Sequence, residues 1–238
     1  WEHLAVLRTN PLGNFEQLIN QITLDLAMNH GLDNHFNQVG HLNQNFGREL
    51  MELFLIGARR QITGTPNYDE RSINPAAQAL TGFFTEIQGG KEVVSFNPAL
   101  HDSSTKTIFP ETAWESTQNF DDQSLVNYIL NNHPESPRYL AGKLFSLLAH
   151  PFPSEEVIDQ LGAELKAANF NLEPVLRTVL KSSAMFAPEA HKVCVDSPVQ
   201  YFSSFVRSAQ LPVRALTTLN GIRGALVPTG QMPLEPPS

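Results

Sequence analysis

The stretch Asn43-Gln44-Asn45-Phe46-Gly47-Arg48-Glu49-Leu50-Met51-Glu52-Leu53-Phe54-Leu55-Ile56-Gly57 decides how the rest of the chain is read. Phe46, Leu50, Leu53 and Phe54 recur at i, i+4, i+7 and i+8, the apolar stripe of a helix. Met51, Leu55 and Ile56 fall outside that stripe, so a helix over 43–57 is apolar around most of its circumference and is expected to be buried. Asn45, Arg48, Glu49 and Glu52 nevertheless share one narrow face, at i, i+3, i+4 and i+7. Carboxylates on a buried helix need partners, because an unpaired buried charge is too costly to keep. In one reading these four form a structural network, with Arg48 pairing Glu52 at i, i+4 and Glu49 held by backbone donors or by another helix's cation. In the other, Glu49 and Glu52 converge on a metal or act as general acid and base. A ferritin-like di-metal site would want Glu-x-x-His pairs, and Glu49-x-x-Glu52 lacks the His.

Working outward, Asn14 is expected to cap a helix carrying Phe15, Leu18, Ile19, Ile22 and Leu26, stopped near Gly31. Residues 29–42 read as a polar surface loop containing His30, Asp33, His35 and His41, whose spacings match no standard metal motif. Asp69 or Ser72 can cap the next helix, with Pro75 in its first turn. Then the pattern changes. Residues 83–87, the turn Gln88-Gly89-Gly90-Lys91 and residues 93–96 predict a β-hairpin, and residues 106–109 a third short strand. Helices resume at Asp121. Further starts are expected at Ser136-Pro137, at Ser154 with acids in its first turn, near 172, at Ser197-Pro198 and near 213. Residues 227–238 form a proline-rich irregular tail. The expected architecture is mainly α: a single multi-helical domain over 1–238 with a β-hairpin or three-stranded insertion around 83–109.

The composition excludes several function classes. Of 238 residues, 41% are hydrophobic and 17% charged, ordinary for a globular chain. A formal charge of −8 leaves no basic patch for nucleic acid or an anionic membrane surface. No apolar run approaches the ~20 residues of a membrane helix. One cysteine, Cys194, allows neither an internal disulfide nor a cysteine metal cluster. Flanked by two valines, it reads as a small buried hydrophobe rather than a reactive thiolate. No Gly-x-Ser-x-Gly elbow, Walker motif or dinucleotide fingerprint occurs. His101-Asp102, in a loop after the hairpin and followed by Ser103, Ser104 and Lys106, has residue types that suit first-row metals. Adjacent residues in an extended loop point apart, however, and an Asp bonding its own turn is the plainer reading.

The central stretch also carries a resemblance. It is similar to the signature helix of a bacterial family called "domain of unknown function 1800", whose members show an Asn-Glu-Asn-(aromatic)-Ala-Arg-Glu-Leu-Met-Glu-Leu-Phe-like run. Further matches follow in order: Ala79-Leu80-Thr81-Gly82-Phe83, Phe96 to His101-Asp102 with Lys106-Thr107, His133-Pro134, Lys143-Leu144 and Ser197-Pro198-Val199. Departures are Gln44 for an acid, Gly47 for Ala, and Phe83 for Trp. The resemblance spans nearly the whole chain and nominates Arg48, Glu49, Glu52, His101 and Asp102 as recurrent positions.

Family members usually continue on both sides and commonly begin with an export signal, so the resemblance implies an internal fragment of an extracytoplasmic protein. Members often occur beside a second exported, sulfatase-like family, which makes such a protein the expected companion. The leading expectation is an exported scaffold or interaction component without a cofactor. The alternative is an extracytoplasmic metal-dependent hydrolase using Glu49, Glu52, His101 and Asp102 around a divalent ion. The carboxylate face of 43–57 is expected to lie beneath the loop that carries His101.

Overall fold

The computed structural model describes residues 2–191, 193, 196–210 and 216–230, with the backbone alone for 216–219. Cys194 and the end of the proline-rich tail lie outside the described residues. The chain divides into two compact units, Trp1–Ala187 and Pro188–Ser238.

The first unit opens with α1 (Glu2–Thr9), α2 (Phe15–Thr23) and α3 (Leu26–Gly31). Asn14 caps α2, accepting from the Gln17 N–H as its residue type foretells. The helix expected to run on to Gly31 instead breaks after Thr23. Asp25 takes the Met28 N–H and starts α3 as a new helix, since a cap residue competes with the helical backbone for its own donors. The 29–42 stretch also differs from the surface loop expected. Asn29, Asn34 and Asn37 are buried and bonded in series, Asn34 Nδ2 to Asn29 Oδ1 at 3.1 Å and Asn37 Nδ2 to Asn34 Oδ1 at 3.2 Å. The chain of amides ends on backbone: Asn29 donates to Thr23 and Asp25, Asn34 to Leu80, Asn37 to Ala77. A run of asparagines is thus a scaffold for a buried turn, satisfied at each step.

The central stretch forms α4 (Asn45–Glu49), which widens into a π-helical segment, Leu50–Leu55. A π turn holds more residues than an α turn, so the apolar stripe drifts. Phe46, Leu50, Met51, Leu55 and Ile56 are buried, while Leu53, placed on the stripe by α-helical spacing, is 51% exposed.

Helix α5 (Ile73–Ala79) packs on α4 and is followed by β1 (Phe83–Gln88) and β2 (Lys91–Phe96), an antiparallel hairpin in register from Phe83–Phe96 to Gln88–Lys91. The third short strand, β3 (Lys106–Ile108), exists but does not extend the hairpin. It pairs with β4 (Ser116–Gln118) in a separate two-stranded sheet. Its end is fixed by the buried Ser72 hydroxyl, which accepts from the Phe109 N–H instead of capping α5.

The remaining helices of the unit are α6 (Asp122–Asn132), α7 (Glu135–Leu148), α8 (Glu155–Ala167) and α9 (Leu172–Lys181). Asp121 and Ser154 cap α6 and α8 as expected. Ser136 does not cap α7: the helix begins at Glu135, and the Ser136 hydroxyl donates to the Ile129 carbonyl of α6 at 2.8 Å. Leu125, Ile129, Leu130, Ala141, Leu165 and Val175 from these helices join Phe46, Leu50 and Met51 in one core. The second unit contains α10 (Pro198–Ser208), with a capping box between Ser197 and Gln200, and α11 (Leu216–Leu226). Among the described residues no helix is long and apolar enough to cross a membrane.

Candidate functional site

The polar face of the central helix splits into bonded and unbonded members. Arg48 forks onto Glu70, Nη1 to Oε1 at 2.8 Å and Nη2 to Oε2 at 2.7 Å, and also lies 3.6 Å from Glu52. The bidentate bond to Glu70 raises the Arg48 pKa and lowers that of Glu70. Glu52 accepts from the Tyr68 hydroxyl. Burial, with the Glu52 bond and charge added, pushes Tyr68 up to about 12, so the phenol stays a proton donor near neutral pH. The expected Arg48–Glu52 pair is therefore part of a four-residue cluster whose other half, Tyr68 and Glu70, comes from the loop before α5. Asn45 is exposed, and its backbone N–H bonds Asn43 Oδ1. The Glu49 side chain is half-buried and makes no hydrogen bond or ion pair among the described residues, where backbone donors or a cation were expected.

One turn further on, the π segment frees backbone carbonyls, and α7 supplies their donors. The Tyr139 hydroxyl donates to the Glu52 carbonyl at 2.9 Å, and Lys143 Nζ to the Leu53 carbonyl at 3.0 Å. Tyr139 and Lys143 are i and i+4 on α7, so one helix face delivers both, and the ammonium stands over the phenol ring. That spacing was the signal available for Tyr139, which the motif reading passed over. Gly57 ends the segment at φ +75°, and a Cβ there would lie 2.7 Å from the Tyr139 ring. Asn67 then caps the chain end, its Nδ2 donating to the Ile56 and Gly57 carbonyls at 2.7 and 3.1 Å.

Behind Asn67 sits His133, 2% exposed between Phe109 and Trp114. Its Nε2 donates to the Asn67 carbonyl at 2.9 Å and its Nδ1 accepts from the Glu135 N–H at 3.2 Å, which fixes the neutral tautomer. Burial pushes His133 down to about 4. The buried Glu135 carboxylate lies 2.9 Å from Arg60 and 3.2 Å from Arg138, at ion-pair distance but without hydrogen-bond angles for its Oε1. Arg138 also pairs with Glu155 and Asp159 on α8.

His101 and Asp102 are held by different means around one residue, Thr81. His101 Nδ1 donates to the Thr81 carbonyl at 2.9 Å, and the Asp102 N–H donates to the Thr81 hydroxyl at 2.8 Å. The Asp102 carboxylate accepts from Ser104 and from Gln78. Burial works against its charge, but these bonds and Lys106 outweigh it and hold its pKa below the usual range. Lys106, which follows the His101-Asp102 loop in the sequence and opens the third strand, is the anchor: fully buried, its Nζ donates to the Asp102 carbonyl at 2.6 Å, the Ser104 carbonyl at 2.9 Å and Asn119 Oδ1 at 3.1 Å. Desolvation lowers its pKa despite the charges of Asp102 and Asp121. Asp122 joins this neighbourhood unforeseen, its pKa raised by burial and by Asp121 and eased by His101.

The two clusters bind separate partners, Glu52 with Arg48 and Tyr68, and Asp102 with Gln78, Ser104 and Lys106. Among the described residues no three His, Cys, Asp or Glu side chains are gathered to hold a metal ion. The histidines of the 29–42 segment each have their own bonding, although the His30 and His35 rings lie 4.5 Å apart. His30 Nε2 lies 3.0 Å from Glu92, His35 Nδ1 donates to the Asn29 carbonyl at 2.9 Å, and His41 is exposed.

No curated protein and no solved structure matches the chain. A family model does, over residues 1–238. The chain belongs to the family described as protein of unknown function DUF1800.

Proposed function

We propose that this chain is an interaction or scaffold component of an extracytoplasmic assembly. The observation that carries the reading is how its most suggestive side chains are used. Glu52, His101 and Asp102 each spend their bonding capacity on their own chain, locking the π segment and the 101–106 loop in place. Groups occupied in this way position surface rather than substrate. The first unit also displays large apolar side chains to solvent, among them Ile87 at 69% and Leu147 at 76% exposure, the kind of surface that partners cover. Export, and an exported sulfatase-like companion as first candidate partner, are part of the same proposal and rest on the resemblance alone.

Cross-linking followed by co-purification from native membranes and culture fluid tests the reading. A stable, stoichiometric assembly with an exported partner is the expected result. Recovery of the protein always alone, or in the cytoplasmic fraction, would overturn it.

A further inference from the structure

Among the described residues the hairpin has two strands and no third, so β2 has an edge without a ladder partner there. Its register closes at Gln88–Lys91 around the two-residue turn Gly89-Gly90. In such a hairpin the closing pair is hydrogen-bonded and bonded pairs alternate, so Glu86–Val93 and Phe84–Ser95 are bonded too. Glu92 and Val94 then aim their N–H and C=O groups away from β1. Neither residue's backbone has a hydrogen-bond partner among the described residues.

An open groove runs beside this edge, between β2 and the helices α1 and α3. Lys91 and Glu92 line one end, Val93 and Val94 the other. Successive strand residues face opposite sides of a sheet, so lining by consecutive residues places the groove along the edge rather than over a face. Opposite β2, Val6, Leu24 and Leu26 give the groove an apolar wall. Its polar end holds Glu2, Asp25 and Glu92 beside Lys91, with His3 3.1 Å from Asp25 and His30 3.0 Å from Glu92, so that Glu2 and the outer face of Glu92 are the acids left to solvent. An unpaired strand edge is a template for another chain unless it is covered, and an acidic, half-apolar groove selects what that chain carries.

We propose that an extended, basic peptide segment of a partner protein adds to β2 as a third strand. Its backbone pairs with Glu92 and Val94, its apolar side chains meet the Val6–Leu26 wall, and its lysines or arginines meet Glu2 and Glu92, the Asp25 carboxylate being buried against His3 and the Met28 N–H. This rests on the interaction reading above and names its surface.

The test uses the whole chain and a labelled synthetic peptide of alternating lysine and valine, followed by fluorescence anisotropy. The comparison peptides are the same sequence N-methylated at alternate residues, in both phases, and a glutamate–valine version. On the protein, Val94→Pro removes one outward N–H without touching the β1 ladder, and circular dichroism checks that the variant folds. Saturable binding of the lysine–valine peptide is expected. One N-methylated phase and Val94→Pro should each weaken it about tenfold or more, the size of one or two lost hydrogen bonds, and the glutamate peptide should not bind.

Equal binding of both N-methylated phases would mean contact by charge alone and would overturn the proposal, as would no binding at millimolar peptide. A concentration-dependent dimer abolished by Val94→Pro would overturn it in favour of a second copy of this chain. If Val94→Pro misfolds, the N-methylated peptides on the parent protein still decide. A native partner retained by folded Val94→Pro protein would overturn the edge proposal while the interaction reading stood. Failure to recover any native partner would count against that reading alone, because the peptide titration is independent of it.

Discussion

Tyr139 reaches from α7 to the Glu52 carbonyl at 2.9 Å and the Leu53 carbonyl at 3.2 Å, closing a π segment whose own ladder leaves those acceptors free. Tyr139→Phe keeps the ring beside Gly57 and removes only the hydroxyl. The Leu53 carbonyl retains Lys143, so the loss is one stranded acceptor, about 1–2 kcal/mol. Urea unfolding should show a lower midpoint at an unchanged slope. A variant as stable as the parent would mean that water satisfies the Glu52 carbonyl equally well.

The two acids of the central helix should respond unequally. Glu49 has no partner to strand, so Glu49→Ala is expected within ~0.5 kcal/mol of the parent. Glu52→Ala removes the acceptor of the half-buried Tyr68 hydroxyl and should cost about 1–2 kcal/mol. This reverses the order that the helix alone suggests, where Glu49 is the buried and bonded member. Thermal melts of the two single variants check it, and the larger loss at Glu49 would sink this account of the network.

That reversal shows where the sequence stops being legible. Caps at Asn14, Asp121, Ser154 and Ser197 and the Gly89-Gly90 hairpin are local chemistry, and residues within a few positions decide them. The π segment is not local, because the donors that make it tolerable lie on a helix nearly ninety residues later in the chain. Spacing at 3.6 residues per turn therefore placed Leu53 inside and gave Glu49 a buried environment. The same applies to the buried Asn34 and Asn37, residue types that normally mark surface, whose amides donate to the distant Leu80 and Ala77 carbonyls.

Gly47 lies where α4 packs on α5. A Cβ at this position would lie 2.8 Å from the Ala77 backbone nitrogen, so α4 and α5 approach too closely for a side chain. Alanine would gain up to ~1 kcal/mol of helix propensity. Forcing the two backbones apart costs roughly 1–3 kcal/mol. Packing should win, and Gly47→Ala is expected to lose about 1 kcal/mol in chemical unfolding. A net gain would show that the two helices separate freely.

Lys106→Met tests whether the 101–106 loop is built on a buried ammonium. Methionine fills similar volume but leaves the Asp102 and Ser104 carbonyls and Asn119 Oδ1 without their donor. Water can reach some of these, so the expected loss is roughly 2–4 kcal/mol rather than the full sum. Hydrogen exchange should quicken first at the Asp102 and Ser104 amides, whose acceptors depend on the loop's shape. Unchanged exchange there would assign the loop's order to Thr81 and Gln78 instead.

His133 makes the fold sensitive to acid in a defined window. Buried and neutral, it is pushed down to about 4 from an ordinary value near 6.5. The unfolded chain takes up its proton first, so the native state's advantage is complete above pH ~6.5 and is lost as pH falls through about 4. A shift of that size corresponds to roughly 3 kcal/mol, a large share of a domain's ~5–15 kcal/mol. His133→Asn keeps an acceptor at the Nδ1 position for the Glu135 N–H, gives up the Nε2 donor to the Asn67 carbonyl, and cannot take up a proton, so the cost of the lost bond is the same at every pH. Urea midpoints of parent and variant, followed from pH 7 to pH 4, isolate the histidine because every other titrating group is common to both. The parent should lose stability faster by roughly 3 kcal/mol over that interval. Parallel curves would mean that His133 finds an acceptor for its second proton in the folded state, and that its neutral pairing with Glu135 is not what holds α6 to α7.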